Sequence, residues 1–227
     1  LILLMLGMSA SFGIASQDAW NSTCLEDEIP LLLTHSTITD IGFSADSIYT
    51  NTTIAAGTYN GCAILENQSM VCWGDNEYGQ LGDGTTTGSA VPIYVNVAAN
   101  ETPVEVTVGQ VTACALMESG NIYCWGSGYY GKMGNGEPWN DDYVNTEMRQ
   151  VLLPEGQGGQ TVSISGGHIC TILDNGDVYC LGRGNQGQLG YGGTSNRNIP
   201  TKVNLPGQRR SISVSTGTFM ALAMTTQ

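Results

Sequence analysis

Cysteine is the residue type whose spacing most invites chemistry. Cys24, Cys62, Cys72, Cys114, Cys124, Cys170 and Cys180 make seven, and the last six fall into three pairs, each ten positions apart. Regular pairing of this kind in an exported chain reads as a set of disulfides. Zinc is the alternative chemistry for thiols, but its sites favour a Cys-x-x-Cys spacing, and the chain has none. Cys24 is left over, either free or bonded to something outside this chain.

Other reactive groups are sparse. The two histidines are His35 and His168. A Ser/His/Asp triad built on His35 has no supporting motif, and His168 sits at a repeated position that favours packing and hydrogen bonding. The Asx-rich turns lack the Asp-x-Asx-x-Asx-Gly order of a calcium loop. The glycine-rich stretches GQLGDG, GKMGNG and GQLGYG are not followed by the Gly-Lys-Ser/Thr of a phosphate loop. No catalytic residue, metal or cofactor is therefore expected, and the chain is read as not an enzyme. Sequons stand at Asn21, Asn51, Asn67 and Asn100. The richest candidate for binding is the segment GYYGKMGNGEPWNDDYVNTEMR, where Tyr129, Tyr130, Trp139 and Tyr143 lie beside Asp141 and Asp142. Aromatics rimmed by acids suit an interface; alternatively, Trp139 and Tyr143 cover the edge of a sheet.

Charge narrows the partners. The 227 residues hold 20 Asp+Glu against 7 Lys+Arg, a net charge of -13. A phosphate backbone is repelled by such a surface, so nucleic acid is excluded as a partner. All of the imbalance lies before Lys132, where no Lys or Arg occurs. Solubility explains it, and steering of a cationic partner is the sharper reading. Charged residues form only 12% of the chain, against roughly 25% in an average globular domain.

The chain opens LILLMLGMSASFGIA, an uncharged apolar run. It is shorter than the roughly 20 residues of a spanning helix and fits the hydrophobic part of a secretory signal, with Gly13 and Ala15 as small cleavage-site residues. Segment 1–15 is thus signal-like and 16–53 a lead-in with a partial repeat. The initiator Met and basic flank are missing, as in a sequence that starts inside its reading frame. Export, to the medium or the cell envelope, is expected, with membrane attachment only through an uncleaved 1–15.

The elements that must place these residues repeat. GTYNGCAILENQSMVCWGDNEYGQLGDG, GQVTACALMESGNIYCWGSGYYGKMGNG and SGGHICTILDNGDVYCLGRGNQGQLGYG align, and a fourth copy starts at Ser215 with Met220 at the cysteine position. The copies occupy about 54–106, 107–161, 162–211 and, partially, 212–227. A period near 50 with short β segments indicates propeller blades. In CTILDNGDVYC, Asp-Asn-Gly suits a three-residue hairpin loop closed by a left-handed Gly176. Leu173 then faces Asp177, and Cys170 faces Cys180; Cys62–Cys72 and Cys114–Cys124 follow by the same register. Opposed Cα atoms about 4.5–5.5 Å apart suit a bridge. After each hairpin, Gly79, Gly82, Gly131, Gly134, Gly187 and Gly190 are expected at positive φ, with Leu81, Met133 and Leu189 plugging the space between blades.

The pattern resembles the repeat of the regulator of chromosome condensation family, roughly G-x-x-H-T-x-A-L followed by D-G-x-V-Y-x-W-G-x-N-x-x-G-Q-L-G. His168, Ala63, Ala115, Gly176, Trp73, Trp125, Asn76, Asn185 and two GQLG stretches carry it, over about 54–227. Asn60, Thr112 and Thr218 depart from the His position, and Leu181 replaces Trp. The resemblance implies an all-β, seven-bladed propeller, of which about three and a half blades are present. It is similar in its cysteine pairing to secreted microbial members. The expected function is an extracellular, non-catalytic scaffold that binds a protein or surface ligand. The alternatives are an exchange factor for a guanine-nucleotide-binding protein, an envelope structural protein, or a hydrolase with its site in a complete propeller.

Overall fold

The structure, a computed structural model, describes residues 53–138, 144–206, 210–217 and 221–225. Cys24, His35, Met220, the segment 1–15 and the sequons Asn21 and Asn51 lie outside them.

Each cysteine pair sits on one hairpin. Strands β2 (Asn60–Ile64) and β3 (Met70–Gly74) place Cys62 opposite Cys72. Strands β6 (Thr112–Met117) and β7 (Ile122–Ser127) place Cys114 opposite Cys124. Strands β10 (His168–Leu173) and β11 (Val178–Gly182) do the same for Cys170 and Cys180. All three pairs are disulfide-bonded, with Cα atoms 4.1 Å apart. This is slightly closer than the separation of about 4.5–5.5 Å expected for directly opposed residues. The third hairpin turns as its Asp-Asn-Gly suggests: Leu173 N–H donates to Asp177 O at 2.9 Å, and Gly176 has φ 82°. The first has no glycine at this place, and Gln68 takes φ 67°.

Each hairpin gains a strand on either side. The first sheet runs β1 (Ile54–Ala56), β2, β3, β4 (Ser89–Tyr94). The second runs β5 (Pro103–Val108), β6, β7, β8 (Val144–Gln150). The third runs β9 (Gly159–Ile164), β10, β11, β12 (Arg197–Lys202). Strands β13 (Ser211–Thr216) and β14 (Ala221–Thr225) pair as a separate hairpin. Every described pairing is antiparallel between neighbours in sequence, the up-and-down meander of a propeller blade.

The blades bury both faces of their inner strands. All residues of β2, β6 and β10 are buried, which is why these strands read as apolar runs rather than as alternating ones. Cys62, Ile64, Met70, Cys72 and Leu81 of the first blade pack on Val106, Val108, Ala113, Ala115 and Trp125 of the second. Cys114, Leu116, Ile122, Cys124 and Met133 then pack on Val162, Ile164, Ile169 and Leu181 of the third. Cys170, Ile172, Val178, Cys180 and Leu189 form the next layer, with Val214 of β13. Leu81, Met133 and Leu189 therefore fill the gaps between blades, and the six glycines around them all have positive φ. Backbones also meet directly. A Cβ on Gly57 would lie 2.0 Å from Gly109 O, and one on Gly109 would lie 2.8 Å from Ser165 O, so no side chain fits between neighbouring blades there.

One sequence assignment changes. Asn76 is buried and ties its loop together: its amide donates to the carbonyls of Thr85 and Thr87, and its oxygen accepts from Leu81 N–H. Asn185, matched to it from sequence, stands one position later in its own loop. Its oxygen takes Arg183 Nε at 2.8 Å, and Gly184, the true counterpart, has its N–H held by Asn196 Oδ1.

Candidate functional site

In each of the three described four-stranded blades, a glycine at or one residue before the end of the third strand has a positive φ: Gly74, Gly126 and Gly182, at 106°, 95° and 97°. At Gly126, with φ 95°, an added Cβ would lie 2.6 Å from Val111 O. The next residue then clamps this loop to the one between the first two strands. Asp75 N–H donates to Tyr59 O, Ser127 N–H to Val111 O and Arg183 N–H to Gly167 O, all at 2.8–3.0 Å. The repeat thereby stacks two loops per blade on one face of the propeller.

Between these loops of the second and third blades, reaching Tyr78 of the first, lies a cavity of about 530 Å³. Tyr129 and Tyr130 line it from a single 3-10 turn, Tyr129–Gly131. Their rings meet edge-on at 4.2 Å, and Tyr129 is 46% exposed. Arg183 comes from the third blade, with its guanidinium 5.3 Å from the centre of the Tyr130 ring.

Lys132 forms the inner wall. It is 1% exposed, and its Nζ donates to Gly166 O at 3.2 Å. Burial pushes its ammonium down to about 8 from an ordinary 10.5. The sister blades hold glutamine at this place, and both are buried. Gln80 Oε1 accepts Tyr78 N–H at 2.9 Å, and Gln188 Oε1 accepts Gln186 N–H at 2.8 Å. Lysine has no acceptor to offer Tyr130 N–H, and Tyr130 turns to φ 66°. The one-residue exchange therefore adds a buried cation and releases the loop into a backbone region that costs an aromatic residue about 1–2 kcal/mol.

The binding residues read from sequence divide. Tyr129 and Tyr130 lie together on the cavity, whereas Trp139, Asp141, Asp142 and Tyr143 lie outside the described residues. Sequence reasoning missed Lys132, Arg183 and Tyr78. The signal for Lys132 was present, since GKMG departs from GQLG in the repeat and carries the first basic residue of the chain. Arg183 and Tyr78 come from other blades, and only the stacking of blades brings them in. His168 is fully buried, with Nδ1 3.1 Å from Ser165 Oγ. Among the described residues, no group of three His, Cys, Asp or Glu is placed to hold a metal ion, and no helix is long and apolar enough to cross a membrane.

Comparison with known proteins agrees with the blades. Two family models described as the regulator of chromosome condensation (RCC1) repeat match, one at residues 71–116 and 175–224, the other at 52–80 and 104–132. The human E3 ubiquitin-protein ligase HERC2 is 32% identical over 75% of this chain, and the match spans 4% of that protein. The Ultraviolet-B receptor UVR8 of Arabidopsis thaliana is 29% identical over 76% of this chain and 38% of its own length. Among solved structures, Prp20p of Saccharomyces cerevisiae, described with its binding to Gsp1p and histones, superposes with a TM-score of 0.66 at 20% identity. That superposition covers 75% of this chain and 42% of Prp20p.

These relatives correct one expectation. The repeats carry no catalytic constellation, from which the sequence reads as not an enzyme, yet a relative matching three quarters of the chain is a named ligase. The match takes in a small part of that ligase, so the make-up of such repeats does not decide whether their polypeptide is an enzyme. The described strands, the repeat matches and the superposition converge: the chain belongs to the regulator of chromosome condensation repeat family, and strands β1–β12 form three blades of its β-propeller.

Proposed function

We propose that these blades are the protein-recognition part of an exported polypeptide, with the cavity beside Tyr129 and Tyr130 at the centre of the binding face. The observation that carries this reading is a disulfide across each of three successive hairpins, beneath loops that converge on one face. Cross-strand bridges persist in oxidising compartments, and they hold rigid the strands from which the loops project. Loops on a rigid scaffold are where binding residues concentrate. Exposed aromatic residues supply contact area with few rotatable bonds, and Tyr129 offers this beside a cationic wall. Trp139, Asp141, Asp142 and Tyr143, the other binding residues read from sequence, follow Tyr130 along the chain. Prp20p, similar in fold, is described with protein partners, and protein binding is the use proposed here for these blades.

The test is site-specific photocrosslinking in the native host. A crosslinker at Tyr129 is expected to capture a defined protein partner. One at Tyr94, exposed on the outer strand β4, is expected to capture none. Equal capture from both positions, or none from Tyr129, removes the assignment of this face.

A further inference from the structure

We infer that the cavity is a carboxylate receptor, in which Lys132 takes an acidic side chain of the protein ligand. This rests on the protein-binding reading and adds the chemistry that the ligand must bring.

An ammonium group has three N–H donors. Lys132 uses one on Gly166 O, and the other two meet no acceptor among the described residues. Among the described residues no carboxylate pairs with it, and the ion pair they form is Lys202 with Asp177, at 2.6 Å. A buried cation without a counter-charge is costly, and the repeat has a neutral residue for this place in Gln80 and Gln188. Lysine is thus the expensive choice unless an anion enters.

The cavity is built for that entry. Among the described residues, its wall holds Lys132 and Arg183 and no Asp or Glu, in a molecule whose net charge is -13. The sign of charge is reversed locally, where an acidic ligand repelled by the rest of the surface finds attraction. The ligand class follows from the valence of the site. One fully buried ammonium with two remaining donors matches a monoanion with two oxygens. Arg183 is already engaged by Asn185 Oδ1 and lies over the Tyr130 ring, so the second charge of a phosphate lacks an uncommitted cation. Tyr78 and Tyr129, 39% and 46% exposed, flank the opening as aromatic rims flank a hot-spot pocket.

The chain has two lysines, Lys132 and Lys202, so ¹³C-lysine labelling gives two assignable side-chain signals, one of them an internal control. The probes are N-acetylglutamate N-methylamide, its glutamine counterpart and inorganic phosphate. The glutamate probe is expected to move the Lys132 signal saturably and raise its titration midpoint, leaving Lys202 in place. The glutamine probe should leave both signals unmoved. In calorimetry, Lys132→Gln should weaken the glutamate probe at least tenfold. This variant installs the sister-blade residue, and the wild-type titration needs no variant at all. No response of Lys132, an equal response to the glutamine probe, or a stronger response to phosphate overturns the inference. A glutamate response together with no partner captured from Tyr129 upholds the carboxylate site and rejects the protein-binding reading.

Discussion

At the scale of single residues, Lys132 governs what the site costs and what it can bind. Its folded value of about 8 lies below the ordinary 10.5. Between those pH values the unfolded chain holds the extra proton, so stability rises with pH through that window. Below pH 8 the folded protein carries the whole penalty, on the order of 3 kcal/mol at about 1.4 kcal/mol per unit. In buffer free of carboxylates, Lys132→Gln is therefore expected to be the more stable protein at pH 7, by up to about 3 kcal/mol. The advantage should shrink as pH climbs from 8 towards 10.5. Urea unfolding with the disulfides intact measures this, and a variant less stable than wild type at pH 7 refutes the account. The exchange of Gln for Lys was legible in the repeat alignment, but its burial was not. A lysine in a glycine-rich loop reads as solvated until two blades close over it.

At the scale of elements, the hairpins were the most legible part of the chain. Ten-residue cysteine spacing and an Asp-Asn-Gly centre fix the register by counting, and Cys170 does face Cys180. The first hairpin departs from this chemistry, since Gln68 holds the left-handed place that Gly120 and Gly176 fill in its sisters. Gln68→Gly should stabilise the protein by about 1 kcal/mol, the cost of a left-handed non-glycine residue less the entropy of glycine. Thermal unfolding reads it, and Gly176→Gln should shift the midpoint in the opposite direction. The apolar plugs Leu81, Met133 and Leu189 were legible from the repeat, but polar contacts between blades were not. Glu105 on β5 accepts from Thr161 Oγ1 at 3.0 Å and Val162 N–H at 3.4 Å on β9, 56 and 57 positions away in sequence. Burial raises its carboxyl above the usual 4.5, against those two bonds. A raised folded value means that the folded state holds its proton longer, so this group costs stability as pH rises past 4.5. Glu105→Gln keeps the acceptor and removes the charge. Its stability relative to wild type should improve from pH 4 to pH 7, and a flat difference contradicts the assignment.

At the scale of the molecule, repetition does most of the work. Three blades reuse one layer of packing, one glycine contact and one clamp between loops, so the fold follows from alignment of the copies. What distinguishes the blades is where they break the pattern: Asn60 and Thr112 at the place of His168, Leu181 at that of Trp125, and Lys132 at that of Gln80. Function concentrates at such departures because a scaffold that repeats everywhere presents no particular site. The cavity draws on three blades, and for that reason it was invisible to a reading that treated each copy separately. Charge adds to the contrast, with a basic wall set in an acidic molecule.

The central claim, an exported and disulfide-stapled recognition face, is tested most directly by non-reducing peptide mapping of the protein recovered from the medium of its native host. The account predicts Cys62–Cys72, Cys114–Cys124 and Cys170–Cys180 as linked peptides, in a chain lacking residues 1–15. Free thiols in these six positions, on protein found only inside the cell, would contradict it.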